Sequence, residues 1–569
     1  MKKRLINRGL LVNLLFSVYS VRIIMPQQCV LTFPDGTRRR VERGTPLHNL
    51  AYGNDPKPVL ARINGRLCSL HAPVTSNARI QWICASDSEG IRAVQNTLCL
   101  LLIHACRNVF PESRLLIDHS LGDGLYCELS GRRVRSGDVK ILKRHIRGSI
   151  AEDIPVQTEI LTRREAESCF QSMGESPRLL ESNRSQNHWV FSKMGDTRAF
   201  LEGPLLYSAG TLSGFDLKKW HQGMILRFPE IGKPDPLPRI PMPRKLFDVF
   251  QEYGRWESIV GIQKTDQLNE AVRQKTMEQL IHIAEGLHEK KIAHIADYLT
   301  GRSSRRLVLI AGPSSSGKTT FAKRLMIQLR VNGMRPLALS LDDYFLNRKH
   351  TPRNQAGEYD YESPASLDLK ALEQDLALLM KGRPVKLRRY DFKTGRSLEG
   401  PAVRLQARQP VLLEGIHGLN HLITASVPSL QKLKIYVSAL TQINITHHRR
   451  VPTSDIRLLR RLIRDSLFRG YSPAETLGRW EEVRRGESVY IFPFQESADI
   501  VFNSALLYEL PVLRHHIEPL LRSVPEQHEY AAEARRLLEL LRFVHAFPSA
   551  AVPPNSILRE FIGKSSFQY

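Results

Sequence analysis

The chain has 569 residues, 42% hydrophobic and 24% charged, a balance that suits several globular domains and excludes a mainly disordered or collagen-like chain. Lysine and arginine exceed aspartate and glutamate by 82 − 57 = +25, which favours polyanionic partners such as nucleic acid or phosphorylated ligands. The excess is spread, +14 over residues 301–569 and +11 over residues 1–300, so it is not one basic tail. All seven cysteines lie between Cys29 and Cys169, with no C-x-x-C pair; the pattern speaks against a disulfide framework or zinc ribbon and for a reducing, cytoplasmic setting.

Residues 1–25 open on a basic start and an apolar run broken by Asn13 and Arg22. The run is too short to span a bilayer, and it reads as a leader or as a start placed ahead of a true one at Met25. No other segment carries an apolar run of membrane-spanning length, so no membrane association is expected.

Residues 26–86 read as a small β-rich unit. Two alternating runs meet at Pro34-Asp35-Gly36, and a second turn, Asn64-Gly65, separates VLARI from RLCSL. The segment resembles the TGS domain, a β-grasp fold at the front of threonyl-tRNA synthetases and some GTPases. Residues 87–235 follow, and the run LLIHACRNVFPESRLLIDHSLGDGLYCEL is similar to the opening of the second additional domain of threonyl-tRNA synthetase, an α+β fold. In that family the domain edits mischarged tRNA with an H-x-x-x-H pair on one helix face and a later C-x-x-x-H. Here Asn96 and Leu100 stand at the paired positions, and no C-x-x-x-H follows. The resemblance therefore implies the domain without its editing chemistry, and His104 is expected as a packed residue.

Residues 236–300 begin with Pro236, Pro238, Pro241 and Pro243 and continue as MEQLIHIAEGLHEKKIAHIADYL, apolar at helical spacing: a helical linker. From residue 301 to 525 the pattern changes. LVLIAGPSSSGKTTFAKRL reads as strand, loop and helix, and Gly312, Pro313, Ser314, Ser315, Ser316, Gly317, Lys318 and Thr319 match G-x-x-x-x-G-K-[ST], followed by Thr320. Glycines let such a backbone curl so that its N–H groups and the following helix end face phosphate. Lys318 is placed to reach the β- and γ-phosphates and the Thr319 hydroxyl to ligate Mg²⁺. LALSLDDYF reads as a buried strand ending in Asp342 and Asp343. A carboxylate there can take a proton from an attacking hydroxyl, or merely cap a turn. PVLLEG is a third apolar strand ending in Glu414, suited to holding Mg²⁺ or its water. The arginine-dense helix of residues 454–470, with Arg457, Arg460, Arg461, Arg464 and Arg469 around a stripe of Leu458, Leu459, Leu462 and Ile463, suits a docked lid that clamps transferring phosphate. A solvated or RNA-binding face is the alternative. Residues 526–569 read as one amphipathic helix and a tail with nothing catalytic.

The ordered pieces S-L-D-D-Y-F, Y-E-S-P-A-S-L-D, R-Y-D-F, L-L-E-G-I and R-L-L-R-R-L-I-R-D-x-x-x-R-G make residues 305–520 resemble the uridine kinase/phosphoribulokinase family of P-loop kinases. The resemblance implies an α/β fold with a mostly parallel, doubly wound sheet, and Mg-ATP-dependent phosphorylation of a nucleoside hydroxyl. Asp342 falls on the family's catalytic aspartate, Glu362 on its ribose-binding acid and Tyr390 on its base-contacting tyrosine; Arg457 and Arg464 are expected to act in catalysis and Arg460 on the substrate. The chain departs from uridine kinases at Glu362 (usually Asp), at Ser363 (usually His), at Lys393-Thr394-Gly395, which lacks the histidine that reads a pyrimidine, and at Tyr471 (usually Arg). Base recognition is therefore altered. Expected partners are ATP, Mg²⁺ and a small hydroxyl-bearing acceptor, with contact to RNA or tRNA through the front modules and self-association left open. The rival class is an RNA- or ribosome-associated regulator driven by ATP.

Overall fold

In the computed structural model, which describes residues 28–51, 53, 56–183, 186–228, 242–302, 304–354 and 357–569, the front module is one five-stranded sheet. The expected leader and the run from Pro236 to Pro241 lie outside the described residues. Gln28–Thr32 and Arg38–Glu42 pair antiparallel around Asp35-Gly36, and Gln28–Thr32 runs parallel to Ala78–Cys84 on its other side. Ala78–Cys84 in turn pairs with Pro58–Ile63, and that strand with Arg66–Ser69. Asn64 (φ 48) and Gly65 (φ 78) both sit in the left-handed region that a two-residue hairpin turn needs. Leu31, Leu47, Leu60 and Ile80 are all fully buried here.

The second module is α+β. Its helix Ser88–Val109 is apolar over Leu98, Leu100, Leu101 and Leu102 and lies in the core between a four-stranded antiparallel sheet and a three-stranded one. Three helices then follow, Arg244–Val260, Thr265–Arg273 and Met277–Thr300. The stretch expected as a linker thus supplies core: Ile281, Ile292 and Ile295 join the cluster formed by Val308, Ile310, Leu433 and Ile435 of a parallel sheet that follows.

The parallel sheet has five strands, in the spatial order Leu337–Ser340, Val411–Glu414, Leu307–Ala311, Lys432–Ser438, Ile500–Asn503. Helices cover both faces, which is why Leu307–Ala311 is buried at every position. The chain leaves the central strand toward one edge and later fills the other, so a crevice opens at the carboxyl end of Leu307–Ala311, the place where open α/β sheets bind ligands.

The modules share polar joints as well as core. Arg536, on the helix Ala531–Leu541, binds Glu202 of the second module at 2.9 Å, Asp455 of the arginine-dense helix at 2.7 Å and Glu533 at 2.7 Å. Arg536→Met keeps the apolar stem but leaves the buried Asp455 and the partly buried Glu202 and Glu533 without that cation; chemical denaturation should show a loss of about 3 kcal/mol or more. Among the described residues no helix is long and apolar enough to cross a membrane, and all seven cysteines are free.

Candidate active site

The loop Gly312–Gly317 leaves the central strand at its carboxyl end and runs into the helix Lys318–Val331. Two glycines are required by space. A side chain at Gly312 would collide with the Val437 carbonyl, and Gly317 (φ 84) presses against Ile557. The loop carbonyls are held by the arginine-dense helix Thr453–Arg464 and by Ser504, just past the strand Ile500–Asn503. Arg457 donates to the Ser314 carbonyl at 3.1 Å, Arg460 to the Ser315 carbonyl at 3.4 Å, and the Ser504 hydroxyl to the Ser316 carbonyl at 2.5 Å. With these carbonyls so held, the amides of Gly317, Lys318 and Thr319 have no hydrogen-bond partner among the described residues. Such a ring of free N–H groups at a helix start is an anion cradle. The buried Ser315 and Ser316 hydroxyls also lack partners.

This arrangement corrects two expectations. Arg457 and Arg460 do not face the cleft. Arg457 forms a forked pair with the wholly buried Glu487, one arm at 2.7 Å, and Arg460, itself 0% exposed, pairs with Glu509 at 2.6 Å. Their charges are spent on neighbouring carboxylates, so they buttress the loop from behind. The arginines at the cleft are Arg461, Arg464 and Arg469, gathered by Asp465 at 3.2, 3.2 and 3.3 Å, and Arg461 also donates to the Ser314 hydroxyl at 2.9 Å. Burial, with Arg469 beside it, pulls Arg464 down to about 10. A five-residue wide turn, Asp465–Arg469, follows the helix and aims these side chains.

Acidic groups converge opposite. Thr319 Oγ1 donates to Glu414 Oε1 at 3.3 Å and Ser340 Oγ to the same oxygen at 3.4 Å. Burial pushes the Glu414 carboxyl up to about 7, against the pull of Lys318. A half-buried carboxylate held beside a hydroxyl suits a hard cation that also takes phosphate oxygens. Among the described residues no three His, Cys, Asp or Glu side chains form a self-sufficient metal group. Asp342 stands at the end of Leu337–Ser340, open at the cleft mouth yet crowded by protein; that crowding raises its carboxyl, while Lys318, Arg469 and Arg464 pull it back. Glu362 is likewise pushed up to about 7 by burial and feels Arg461, Glu487, Lys318 and Asp342. Lys318 itself donates to the Pro313 carbonyl at 3.2 Å.

Asp343 turns away from this cluster and accepts the Tyr390 amide at 3.3 Å, so it is a structural residue. Tyr390 is 5% exposed, and its ring lies 5.6 Å from Phe345 and 5.0 Å from Phe392. Phe392, more than half exposed, forms the open end of that aromatic wall and was not picked out by sequence spacing. The following Lys393-Thr394-Gly395 is a hairpin turn closed on the Asp391 carboxylate, which accepts the Lys393 amide at 2.9 Å and the Thr394 hydroxyl at 2.8 Å. His417, directly after L-L-E-G-I, is 2% exposed beside the backbone of Glu362 and Tyr490, and burial holds it neutral, down to about 4. Its position next to that motif was the available signal.

In the second module, the face of Ser88–Val109 that carries Asn96 and Leu100 is plugged. Asn96 donates to the Glu202 carbonyl at 2.9 Å, and Leu100, Leu201 and Leu205 share one apolar core. His104 hydrogen-bonds Thr197 at 2.9 Å and packs beside His145.

Residues 307–506 match the phosphoribulokinase/uridine kinase family. The chain is similar to the uridine kinase of Deinococcus deserti, 28% identical over 204 residues that make up 36% of this chain and 89% of that kinase. It is also similar to the threonine–tRNA ligase of Haloarcula marismortui, 24% identical over 192 residues, 33% of this chain and 30% of the ligase. The match thus spans less than a third of the ligase's length. A solved structure described as a possible uridine kinase from Bacillus stearothermophilus aligns with 35% of this chain and 89% of its own, at 20% identity and a TM-score of 0.24. The crevice at the end of the central strand therefore belongs to a P-loop kinase domain of the phosphoribulokinase/uridine kinase family, a family that implies ATP binding, carried behind a region similar to part of threonine–tRNA ligase.

Proposed function

We propose that this protein is an ATP-dependent kinase that transfers the γ-phosphoryl group to a hydroxyl of a nucleoside, uridine- or cytidine-like, or of a related small metabolite. The observation that carries this reading is the convergence of Lys318, Asp342 and Glu362 on one crevice beside free loop amides; a domain that only hydrolysed ATP would need no second carboxylate pocket with an aromatic wall. Lys318 and the amides hold phosphate. Thr319 and Glu414 would hold Mg²⁺, which when bound neutralises phosphate charge. Asp342 takes the proton from the acceptor hydroxyl as its oxygen bonds to the γ-phosphorus and the bridge to the β-phosphate breaks, leaving ADP and a phosphate monoester. Arg464 and Arg469 offset the charge that spreads over the transferring group. Glu362 accepts from acceptor hydroxyls, and Tyr390 with Phe392 offers a face on which a base can stack.

A screen of nucleosides and other small hydroxyl compounds for stimulated ADP release tests this. A pyrimidine nucleoside should raise the rate at least about tenfold over the acceptor-free background, and its removal should return the rate to that background. No stimulation by any compound would shift the reading to the regulator.

One observation favours that second reading, an RNA-associated role for the front modules: a cleft of about 820 Å³ lined by Arg132, Arg133, Arg135 and Lys219. Binding of tRNA there should fall steeply with salt, roughly in proportion to the phosphates contacted; salt-independent or absent binding counts against it.

A further inference from the structure

The C-terminal segment reaches back across the phosphate loop. Ile557, Leu558, Phe561 and Ile562 are core residues, which fixes the short helix Arg559–Ile562 in place. Arg559 ties it further by donating to the Val552 carbonyl at 2.6 Å and the Ser549 carbonyl at 2.8 Å. Glu560 points the other way. Its Oε2 accepts from the Thr320 amide at 3.2 Å and from the Thr320 hydroxyl at 2.7 Å. Tyr569 closes over the same spot, its hydroxyl 2.8 Å from Thr320 Oγ1. Lys323, one turn on, donates to the Gln568 carbonyl at 2.6 Å and sits 5.5 Å from the Tyr569 ring.

The Thr320 amide is one of the first-turn N–H groups that cradle the inner phosphates of a nucleotide. A carboxylate bonded there is an anion in a phosphate's place. The remaining cradle amides, of Gly317, Lys318 and Thr319, are free among the described residues. We propose that Glu560 and Tyr569 form a self-inhibitory strap: the chain's own carboxylate holds the Thr320 amide, and a nucleotide seats fully only after the Glu560 side chain swings off it. This rests on the reading of the loop as a nucleotide site. The moving parts are small, one side chain on a fixed helix and the largely solvent-facing residues 564–569. A diphosphate group alone needs only the free amides and Lys318, so pyrophosphate and ATP compete differently with the strap.

Calorimetric titration of the full chain with Mg-ATP and with Mg-pyrophosphate separates the two. Glu560→Ala should tighten ATP about tenfold, by removing the cost of an occupied site, and leave pyrophosphate unchanged. Tyr569→Phe, at a residue more than half exposed, should tighten ATP by roughly twofold to threefold in the same direction. Unchanged or weaker ATP binding in both variants overturns the strap. Equal gains for both ligands overturn it as well, because that is a general change of potential. Lys318→Ala is the companion measurement: it should weaken both ligands, and if it weakens neither, the nucleotide reading itself fails and the strap with it.

Discussion

Lys318→Ala should lose ATP turnover almost completely, by at least about 10²–10³-fold, while its far-ultraviolet circular dichroism stays that of the parent chain. The size of the effect follows from where the ammonium sits. It is the cation that Asp342, Glu362 and Glu414 all feel. Without it, three carboxyls crowd the crevice with less opposing charge, and each binds its proton more firmly. A phosphate chain would then meet repulsion where it now meets attraction. Lys318→Arg should recover little, since a planar, bulkier guanidinium cannot occupy the place of a compact ammonium that donates to the Pro313 carbonyl at 3.2 Å. Near-normal turnover in Lys318→Ala, measured by coupled ADP release, would overturn the assignment of this loop as the phosphate site.

Asp342→Asn should separate binding from chemistry. ATP affinity should stay within about threefold, because the loop amides and Lys318 are untouched, while phosphoryl transfer falls about 10²–10⁴-fold with the loss of the proton acceptor. The pH profile supplies a second readout. A base at this position would work ionised, and crowding raises the Asp342 carboxyl above its ordinary range. Turnover should therefore decline as pH falls through that raised value, at higher pH than an ordinary aspartate would give, and be complete above it. In Asp342→Asn that limb should vanish from the residual rate. If the variant keeps both rate and limb, the proton goes elsewhere; Glu362, pushed up to about 7 in the same crevice, is the group to replace next.

The two variants bear on different parts of the fold. Lys318 depends on the strand–loop–helix alone, and any chain segment with that pattern would present it. Asp342 depends on the parallel sheet, since only the pairing of Leu337–Ser340 with Val411–Glu414 brings the two acidic strand ends beside the loop. Their neighbours are further from local pattern still. Glu487, which accepts the Ser314 amide at 2.9 Å, lies 173 residues along the chain.

The sequence by itself determined the ligase-like front, the parallel sheet and its phosphate loop, because each is written in short range: glycine spacing, apolar runs ending in acids, and turn residues such as Asn64-Gly65. Tertiary structure alone decided how the charges are used. Five arginines on one helix look alike in one dimension, yet Arg457 and Arg460 turn inward to Glu487 and Glu509 while Arg461, Arg464 and Arg469 gather on Asp465 at the crevice. The choice is made by which carboxylates are brought to each face, since a buried guanidinium must be paired. The same holds for the tail, which looked inert in sequence. Glu560 gains its meaning only when the core packing of Ile557, Leu558 and Phe561 carries it more than two hundred residues back onto Thr320.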